Sequence, residues 1–397
     1  MSQLAEPTDR SPAVPAPAAP APDVLTVEGL DVTVSGGVRA VRGVSFTLGR
    51  GEAVGLVGES GSGKSLTCRS ALGVLPAGCE VSGGRITLGA PGAEPSAAQG
   101  AAQGAEPGIA QGIEPGVAAG SGAELTAFTR KQWDAVRGRR IGAVFQDPAS
   151  YLNPSLTVGR QLTEQLRVGA ALSRAEARTR AVELFTAVGL HRPEEVFHQY
   201  PHELSGGMLQ RVLIAIAVSC SPELLIADEA TTALDVVIQA EILEILQRLR
   251  TERGLALLLV THDLAVVTES CDRVLVMYAG EIVEDGPTAE VLASPAHPYT
   301  EALLRVASIG AWGRRELDII PGRPPETGAE LPGCRFADRC AHAVARCTEA
   351  PVALRSLEGG RRARCLRPAG PLAGPLAGPL DGASEEAPAP VTEGAAV

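Results

Sequence analysis

The segment Gly58–Ser65 constrains this chain more strongly than any other part of its 397 residues. It has the pattern Gly-x4-Gly-Lys-Ser and follows the apolar run Glu52–Val57, which predicts a buried strand, a glycine-rich turn and a helix beginning near Lys64. In such a turn, successive backbone N–H groups face one anion, and the helix N-terminus adds its partial positive charge. The residues predicted to bind phosphate are Gly58, Ser60, Gly61, Ser62, Gly63, Lys64 and Ser65.

An ordinary glycine-rich turn is the alternative, because the chain contains 45 glycines. Lysine is rare, however: Lys64 and Lys131 are the only two, and arginine carries nearly all of the positive charge. This rarity favours phosphate binding. Lys64 is then predicted to bridge the terminal phosphates, and the Ser65 hydroxyl to bind Mg²⁺.

A second apolar run, Leu224–Ala227, ends in the two carboxylates Asp228 and Glu229. Acidic residues after a strand are often only a solvated edge, and an isolated pair favours that interpretation. In a chain that also contains a phosphate loop, a functional carboxylate pair becomes the favoured interpretation. Asp228 is predicted to hold the Mg²⁺ shell, and Glu229 to orient or deprotonate the attacking water.

The segment Ser205-Gly206-Gly207 precedes a strongly apolar helix that is predicted to run to about Val218. Ser205 is a natural N-cap, and the glycines leave the backbone of the helix start accessible, which predicts a second anion site. Such a turn alone is usually a plain loop. Its position 24 residues before Glu229 makes it informative.

Strand and helix patterns alternate through the rest of this region. Leu255–Val260 reads as a buried strand, apolar residues at helical spacing over 238–249 predict a helix that ends at Gly254, and 274–283 reads as a hairpin. The alternation predicts an α/β domain with a mainly parallel sheet.

Together these motifs resemble the ATP-binding-cassette ATPases over residues 24–296. The resemblance implies a P-loop NTPase fold with an α/β RecA-like core, a helical subdomain and a small C-terminal extension. It implies that Gln146 senses Mg²⁺, that His262 lies near the γ-phosphate and that the loop at Asp235 crosses a dimer interface. In this family the Ser205–Gly207 signature of one subunit closes over ATP held by another. The implied catalytic residues are Glu229, His262 and Lys64, and the implied Mg²⁺ ligands are Ser65, Gln146 and Asp228.

Further segments resemble the ATPases of oligopeptide and dipeptide importers: 200–208, 146–148 with 152–154, and 297–300. Met208, where many cassette proteins have Gln, is similar to the D-type subunit of those importers. The implied partners are a homologous F-type ATPase or a second copy of this chain, two integral-membrane permeases and an extracellular substrate-binding protein. Import of nickel or another small solute, export, and a non-transport cassette ATPase stay open as alternatives.

Aromatic residues make up only 3% of the chain, so the core is predicted to consist mainly of Leu, Val, Ile and Ala. An aromatic residue is also absent from one position of the nucleotide site that the resemblance implies. Val34 stands about where the family often has an aromatic residue that stacks on adenine. The sequence therefore departs from the family pattern at the base-binding position.

The formal net charge of −11 argues against a nucleic-acid-binding surface, which needs clustered Lys and Arg. No apolar run approaches the roughly 18 residues of a membrane span, and the N-terminus lacks the basic start and apolar core of a signal peptide. The expected location is the cytoplasmic face of the cell membrane, with membrane contact made through the permeases.

Composition divides the chain into four parts. Residues 1–22, rich in Ala and Pro, and the tail at 367–397 are predicted to be disordered. The predicted ATP-binding domain spans 23–296 and contains a low-complexity surface insertion at about 90–122. The predicted C-terminal extension spans 297–366.

Four of the eight cysteines crowd into the extension, separated by five, six and seventeen residues: Cys334, Cys340, Cys347 and Cys365. These gaps fit neither short Cys-x2-Cys zinc knuckles nor ferredoxin spacings, so spacing alone leaves buried thiols and a metal site equally open. The segments 321–325 and 333–340 resemble the C-terminal extension of the peptide importers. Some members of that family carry a [4Fe–4S] cluster on such cysteines, and the resemblance implies one here, with zinc as the alternative.

Overall fold

The computed structural model describes residues 23–90, 122–230, 235–308 and 320–366. The predicted disordered ends, 1–22 and 367–397, lie outside these residues, and so does almost all of the predicted insertion at 90–122. Within the described ranges, no helix combines the length and the apolar character needed to cross a membrane.

The strands form two sheets. In chain order they are β1 (Asp23–Val34), β2 (Val38–Gly49), β3 (Ala53–Val57), β4 (Glu80–Leu88), β5 (Ala123–Glu124), β6 (Ile141–Val144), β7 (Leu224–Asp228), β8 (Ala256–Val260), β9 (Arg273–Tyr278), β10 (Glu281–Pro287), β11 (Arg355–Ser356) and β12 (Arg362–Ala363). The predicted strands before the phosphate loop and before Glu229, the strand over 255–260 and the closing hairpin are confirmed.

The larger sheet has the order β11-β12-β10-β9-β3-β8-β7-β6. Its strands from β9 to β6 are parallel, which confirms the predicted α/β class. Both faces are buried: on β7, Leu224 and Ile226 pack into one core, and Leu225 and Ala227 into the other. A strand of this kind reads as a continuous apolar run because neither face meets water. The carboxyl ends of the parallel strands lie at one edge of the sheet.

The helices cover the faces of this sheet. In chain order they are α1 (Lys64–Leu72), α2 (Arg130–Val136), α3 (Val158–Gly169), α4 (Arg174–Ala187), α5 (Pro193–Val196), α6 (Gly206–Ala217), α7 (Val236–Arg253), α8 (Leu264–Ser270), α9 (Thr288–Ala293), α10 (Pro298–Ser308) and α11 (Arg346–Glu349). Helix α7 ends at Gly254, which has φ +63°, as predicted.

Two cores flank the larger sheet. The antiparallel sheet β2-β1-β4-β5 covers one face together with α1, through side chains such as Leu25, Phe46 and Cys68. The opposite core holds Leu162, Phe185 and residues of α6 and α7. Helices α3 to α6 pack on one another between β6 and β7 in the chain, which confirms the predicted helical subdomain.

The C-terminal extension continues the larger sheet. Strand β12 pairs antiparallel with β10, and β11 with β12. Arg361 forms an ion pair of 3.0 Å with Glu284, whose fully buried carboxylate also accepts the backbone N–H groups of Ala296 and His297. This network fixes the start of the extension to the strand that precedes it.

Candidate nucleotide-binding site

The phosphate loop follows β3 and leads directly into α1. Gly58 has φ +153°, and a Cβ atom there would lie only 2.1 Å from the Met277 carbonyl oxygen. Gly63 caps the helix in the left-handed conformation, with φ +104°. Side chains at either position would strain the loop, so its path depends on these two glycines. The hydroxyl of Ser62 is buried and has no hydrogen-bond partner among the described residues.

The Lys64 ammonium lies across the mouth of this loop. Its Nζ donates to the carbonyl oxygens of Gly58 at 2.8 Å and Glu59 at 3.0 Å. Burial lowers the pKa of Lys64, and the negative charges of Glu229 and Asp228 oppose that shift. A cation that has lost much of its hydration binds an incoming anion strongly, as the predicted phosphate contact requires.

Ser65 and Asp228 meet at the carboxyl edge of the sheet. The Ser65 hydroxyl donates to Oδ1 of Asp228 at 3.0 Å, and burial is the largest cause that raises the pKa of Asp228. Neighbouring ligands of an octahedral Mg²⁺ at about 2.1 Å are about 3.0 Å apart. The spacing of the two oxygens is therefore one that a single Mg²⁺ would accept.

Glu229 lies one residue beyond Asp228 in an unusual backbone conformation. Its φ is +51°, in the left-handed region that non-glycine residues rarely adopt, and its N–H donates to the Val260 carbonyl at 2.9 Å. Such strain costs about 1–3 kcal/mol and clusters at functional sites. Oε1 of Glu229 is 3.9 Å from Nδ1 of His262, so the structure brings these two predicted catalytic residues together.

Gln146 and the Ser205–Gly207 segment stand apart from this group. Gln146 is exposed, two residues after β6, and has no hydrogen bond within the described residues. Ser205 caps α6 by accepting the N–H of Met208, as predicted. Gly206 is exposed, and open space surrounds the position where its Cβ would be. Within one protomer, neither segment reaches the phosphate loop by a described hydrogen bond.

The C-terminal extension contacts the phosphate loop at Glu59. The sequence did not predict this contact. Arg339, with a side chain only 4% exposed, donates to both carboxylate oxygens of Glu59 at 2.7 and 3.0 Å. The N–H of Glu59 donates to the Tyr299 hydroxyl at 2.8 Å. The guanidinium of Arg339 also donates to the Tyr278 hydroxyl and to the Ile320 and Pro321 carbonyls.

Arg339→Ala is expected to lower the free energy of unfolding by about 2 kcal/mol, because it leaves the Glu59 carboxylate without its bidentate partner. Denaturant unfolding of the purified variant measures this loss. The control Arg305→Ala removes an arginine that is 64% exposed and should cost less than about 0.5 kcal/mol. Equal losses in the two variants would contradict the role of the ion pair.

The four cysteines of the extension line one small cavity: Cys334, Cys340, Cys347 and Cys365. The sulfur of Cys340 accepts the N–H of His342 at 3.4 Å. Burial raises the pKa of the Cys334 and Cys340 thiols. Among the described residues, however, no group of three or more His, Cys, Asp or Glu side chains could hold a metal ion.

His297 lines the same cavity and is 1% exposed. Its Nδ1 accepts the N–H of Tyr299 at 3.0 Å, and its Nε2 has no hydrogen-bond partner among the described residues. Burial, together with the charge of Arg364, lowers the pKa of His297 to about 3. The imidazole is therefore neutral at physiological pH.

Comparisons with known proteins agree with this geometry. A family model described as ABC transporter matches residues 41–232, and one described as oligopeptide/dipeptide transporter, C-terminal region, matches residues 283–347. The chain is 42% identical to the oligopeptide transport ATP-binding protein AppD of Bacillus subtilis (strain 168), over 83% of this chain and 90% of that protein. It is 40% identical to the dipeptide transport ATP-binding protein DppD of the same organism, over 82% and 88%.

Solved structures show the same fold. The ATP-binding cassette MJ0796, dimeric in a post-hydrolysis state with ADP and Pi, matches with a TM-score of 0.52 at 24% identity, over 66% of this chain and 98% of that one. CbiO1 from Clostridium perfringens, part of the ABC transporter complex cbiONQ, matches with a TM-score of 0.52 at 27% identity, over 68% and 91%. The chain therefore belongs to the ATP-binding-cassette ATPases, in the branch that carries the oligopeptide/dipeptide transporter C-terminal region.

Proposed function

We propose that this chain is the ATP-hydrolysing subunit of an importer for oligopeptides or dipeptides. The structural observation behind this proposal is the 3.0 Å hydrogen bond between Ser65 and Asp228. Its support for peptide import comes from two similar proteins that are named as oligopeptide and dipeptide transport ATP-binding proteins. The proposed complex contains a homologous F-type ATPase or a second copy, two integral-membrane permeases and an extracellular binding protein. The chain itself would lie at the cytoplasmic face of the membrane.

The exposed start of α6 supports a second ATPase subunit. Ser205 and Gly206 present open backbone N–H groups that suit the γ-phosphate of ATP bound to a partner. Beside Asp235, the side chains of Val236 and Val237 are 82% and 66% exposed. An apolar pair of this kind is well explained by a partner surface that covers it. We infer that ATP lies between the Lys64 loop of one subunit and the Ser205 segment of the other.

Hydrolysis then rests on groups at the carboxyl edge of the sheet. Lys64 binds the terminal phosphates, and the backbone N–H groups of residues 61–65 take up their remaining oxygens. Ser65 and Asp228 would hold Mg²⁺, and the bound ion would supply positive charge beside the terminal phosphates. Glu229 orients the attacking water and accepts its proton, and His262 contacts the γ-phosphate. Most of the catalytic effect is electrostatic, since little covalent chemistry falls to the protein.

The segment from Gln146 to Leu156 is the proposed route to the permeases. Gln146 follows β6, which lies beside the strand that carries Asp228. Tyr151 lies five residues after Gln146 and is 50% exposed. Its ring stacks on the ring of Phe145, with 4.7 Å between the two ring centroids. An exposed aromatic ring on this surface suits a short cytoplasmic helix of a permease, because aromatic residues are enriched in protein interfaces.

Purification of the tagged chain from its native membranes tests this assembly. A complex that contains a second cassette ATPase, two permeases and an extracellular binding protein is the expected result. Recovery of permeases with no binding protein would favour an exporter and contradict the proposal. Recovery of the ATPase alone, from membranes that contain the permeases, would contradict it as well.

We also propose that the extension binds a [4Fe–4S] cluster, with zinc as the alternative. The support for this proposal is that the four cysteines line one cavity. In a cluster each cysteine binds a different iron, so the sulfurs are spread more widely than around one zinc. The N–H donor at His342 suits a sulfur atom that carries negative charge. When bound, the cluster would join the loops of the extension.

Anaerobically purified protein is expected to contain about four iron atoms per chain and to have a broad visible absorbance. Cys340→Ser should abolish both, whereas Cys79→Ser, which changes a cysteine outside the extension, should leave both unchanged. Elemental analysis and absorbance spectra measure the outcome. Zinc at about one atom per chain, or no metal in protein that was never exposed to oxygen, would overturn the cluster.

A further inference from the structure

A cavity of about 210 Å³ lies between the phosphate loop and the C-terminal extension. Loop residues 60–62 form one wall, residues 324–328 of the extension form another, and Arg39 and Arg335 also line it. Sites that enclose a whole drug-sized ligand measure about 300–1,000 Å³. This cavity is smaller, so it suits one part of a nucleotide whose phosphates lie in the adjoining loop.

We call residues 324–330 the strap; they comprise the wall at 324–328 and the two residues that follow it. Two buried arginines fix it. Arg42, which is 7% exposed, donates to both carboxylate oxygens of Glu330 at 2.9 and 3.1 Å. Arg335, 6% exposed, donates to the Ala329 carbonyl at 2.9 Å. The strap is therefore a fixed surface that joins the extension to the nucleotide side of the cassette.

The strap contacts the strand pair that carries Val34. Gly328 has φ +92°, and a Cβ atom there would lie 2.4 Å from Cγ1 of Val38. Only glycine allows this close contact without strain. Val38 pairs with Val34, the residue that stands where the family often has its aromatic. Val34 is not among the residues that line the cavity.

The lining of the cavity suits an aromatic base. Two buried polar atoms on its walls, Ser62 Oγ and Arg335 Nε, have no hydrogen-bond partner among the described residues. Guanidinium groups stack on flat aromatic rings, and Arg335 and Arg39, which also pairs with Asp31 at 2.6 Å, both line the cavity. Tyr278 also lines the cavity, but it is 1% exposed and packs against Tyr299 at 4.5 Å. Arginine and proline surfaces therefore replace a tyrosine face.

We propose that the strap, with Arg39 and Arg335, binds the ribose and purine base of ATP and so does the work of the aromatic residue absent at Val34. This inference rests on the proposed ATPase function, because it assumes that the phosphates occupy the Gly58–Ser65 loop. The extension then contributes directly to nucleotide affinity. Apart from Arg39, the residues that hold the base lie more than 250 residues from the phosphate loop in the chain.

Calorimetric titration of the full-length protein with two ligands tests this site. ATP with Mg²⁺ probes phosphates and base together, and inorganic tripolyphosphate with Mg²⁺ probes the phosphates alone. The variants are Arg335→Ala and Arg39→Ala, and the latter removes a side chain that is 43% exposed and pairs with Asp31 at 2.6 Å. Arg85→Ala is the control, since Arg85 is 59% exposed on the same small sheet but does not line the cavity.

Each arginine variant is expected to weaken ATP binding about tenfold and to change tripolyphosphate binding less than about twofold. Arg85→Ala should change neither. Equal weakening of both ligands would overturn the inference, because it would indicate a disturbed phosphate loop. Unchanged ATP affinity in Arg39→Ala and Arg335→Ala would overturn it too. Wild-type protein that binds neither ligand would overturn the proposed function itself.

Discussion

Glu229→Gln is expected to lower ATP hydrolysis at least about 100-fold while ATP binding is retained. The amide keeps the size and hydrogen-bonding reach of the carboxylate but cannot accept a proton from water. The strained backbone of Glu229, at φ +51°, and its distance of 3.9 Å from His262 favour this role over a solvated strand edge. Because ATP persists, ATP-bound dimers with the partner ATPase should accumulate.

Phosphate release and size-exclusion chromatography, both in ATP with Mg²⁺ and with the partner present, measure the two effects. Glu244→Gln makes the same carboxylate-to-amide change at an exposed site on α7 and should behave as wild type. Hydrolysis at the wild-type rate in Glu229→Gln would refute the assignment of the catalytic base. Loss of ATP binding in that variant would equally contradict it.

Lys64→Ala is expected to weaken ATP binding at least about 30-fold and to abolish measurable hydrolysis. The change removes a largely desolvated cation from the mouth of the loop, where Nζ lies 2.8 Å from the Gly58 carbonyl. Truncating one member of a buried charge pair costs about 2–5 kcal/mol. Titration with ATP measures the loss. Lys131→Ala, on the exposed surface of α2, is the control and should leave ATP affinity unchanged.

The chain offers a second measurement at this site, because Lys64 and Lys131 are its only two lysines. Mass spectrometry after labelling with an amine-specific reagent can report on each separately. ATP should protect Lys64 from the reagent and leave the labelling of Lys131 unchanged. Equal labelling of Lys64 with and without saturating ATP would contradict the predicted phosphate contact.

The sequence predicted the parts of the site that depend on local pattern. Fully buried strands such as β3 and β7 appear as uninterrupted apolar runs, so the loop after Val57 and the carboxylates after Ala227 could be recognised. Their meeting at Ser65 and Asp228 follows from parallel strands, whose carboxyl ends share one edge of the sheet. The caps at Ser205 and Gly254 were equally local.

Contacts across long stretches of chain could not be predicted. Arg339 lies 280 residues after Glu59, and nothing in either neighbourhood marks the two as partners. The same holds for the strap on Val38 and for the cavity shared by the cysteines, whose spacing left a metal site and buried thiols equally open. The signals available were only the resemblances of 297–300, 321–325 and 333–340 to the peptide-importer ATPases. That resemblance named the segment but not what it touches.

ATP hydrolysis by this chain is proposed to drive peptide import. Uptake of a radiolabelled di- or oligopeptide by native cells, in which the chromosomal copy carries Glu229→Gln, tests it most directly. Immunoblots of the membrane fraction verify that the complex assembles, and Glu244→Gln is the control. Uptake is expected to fall to background in Glu229→Gln and to be normal in Glu244→Gln. Normal peptide uptake in cells whose assembled Glu229→Gln complex hydrolyses no ATP would contradict it.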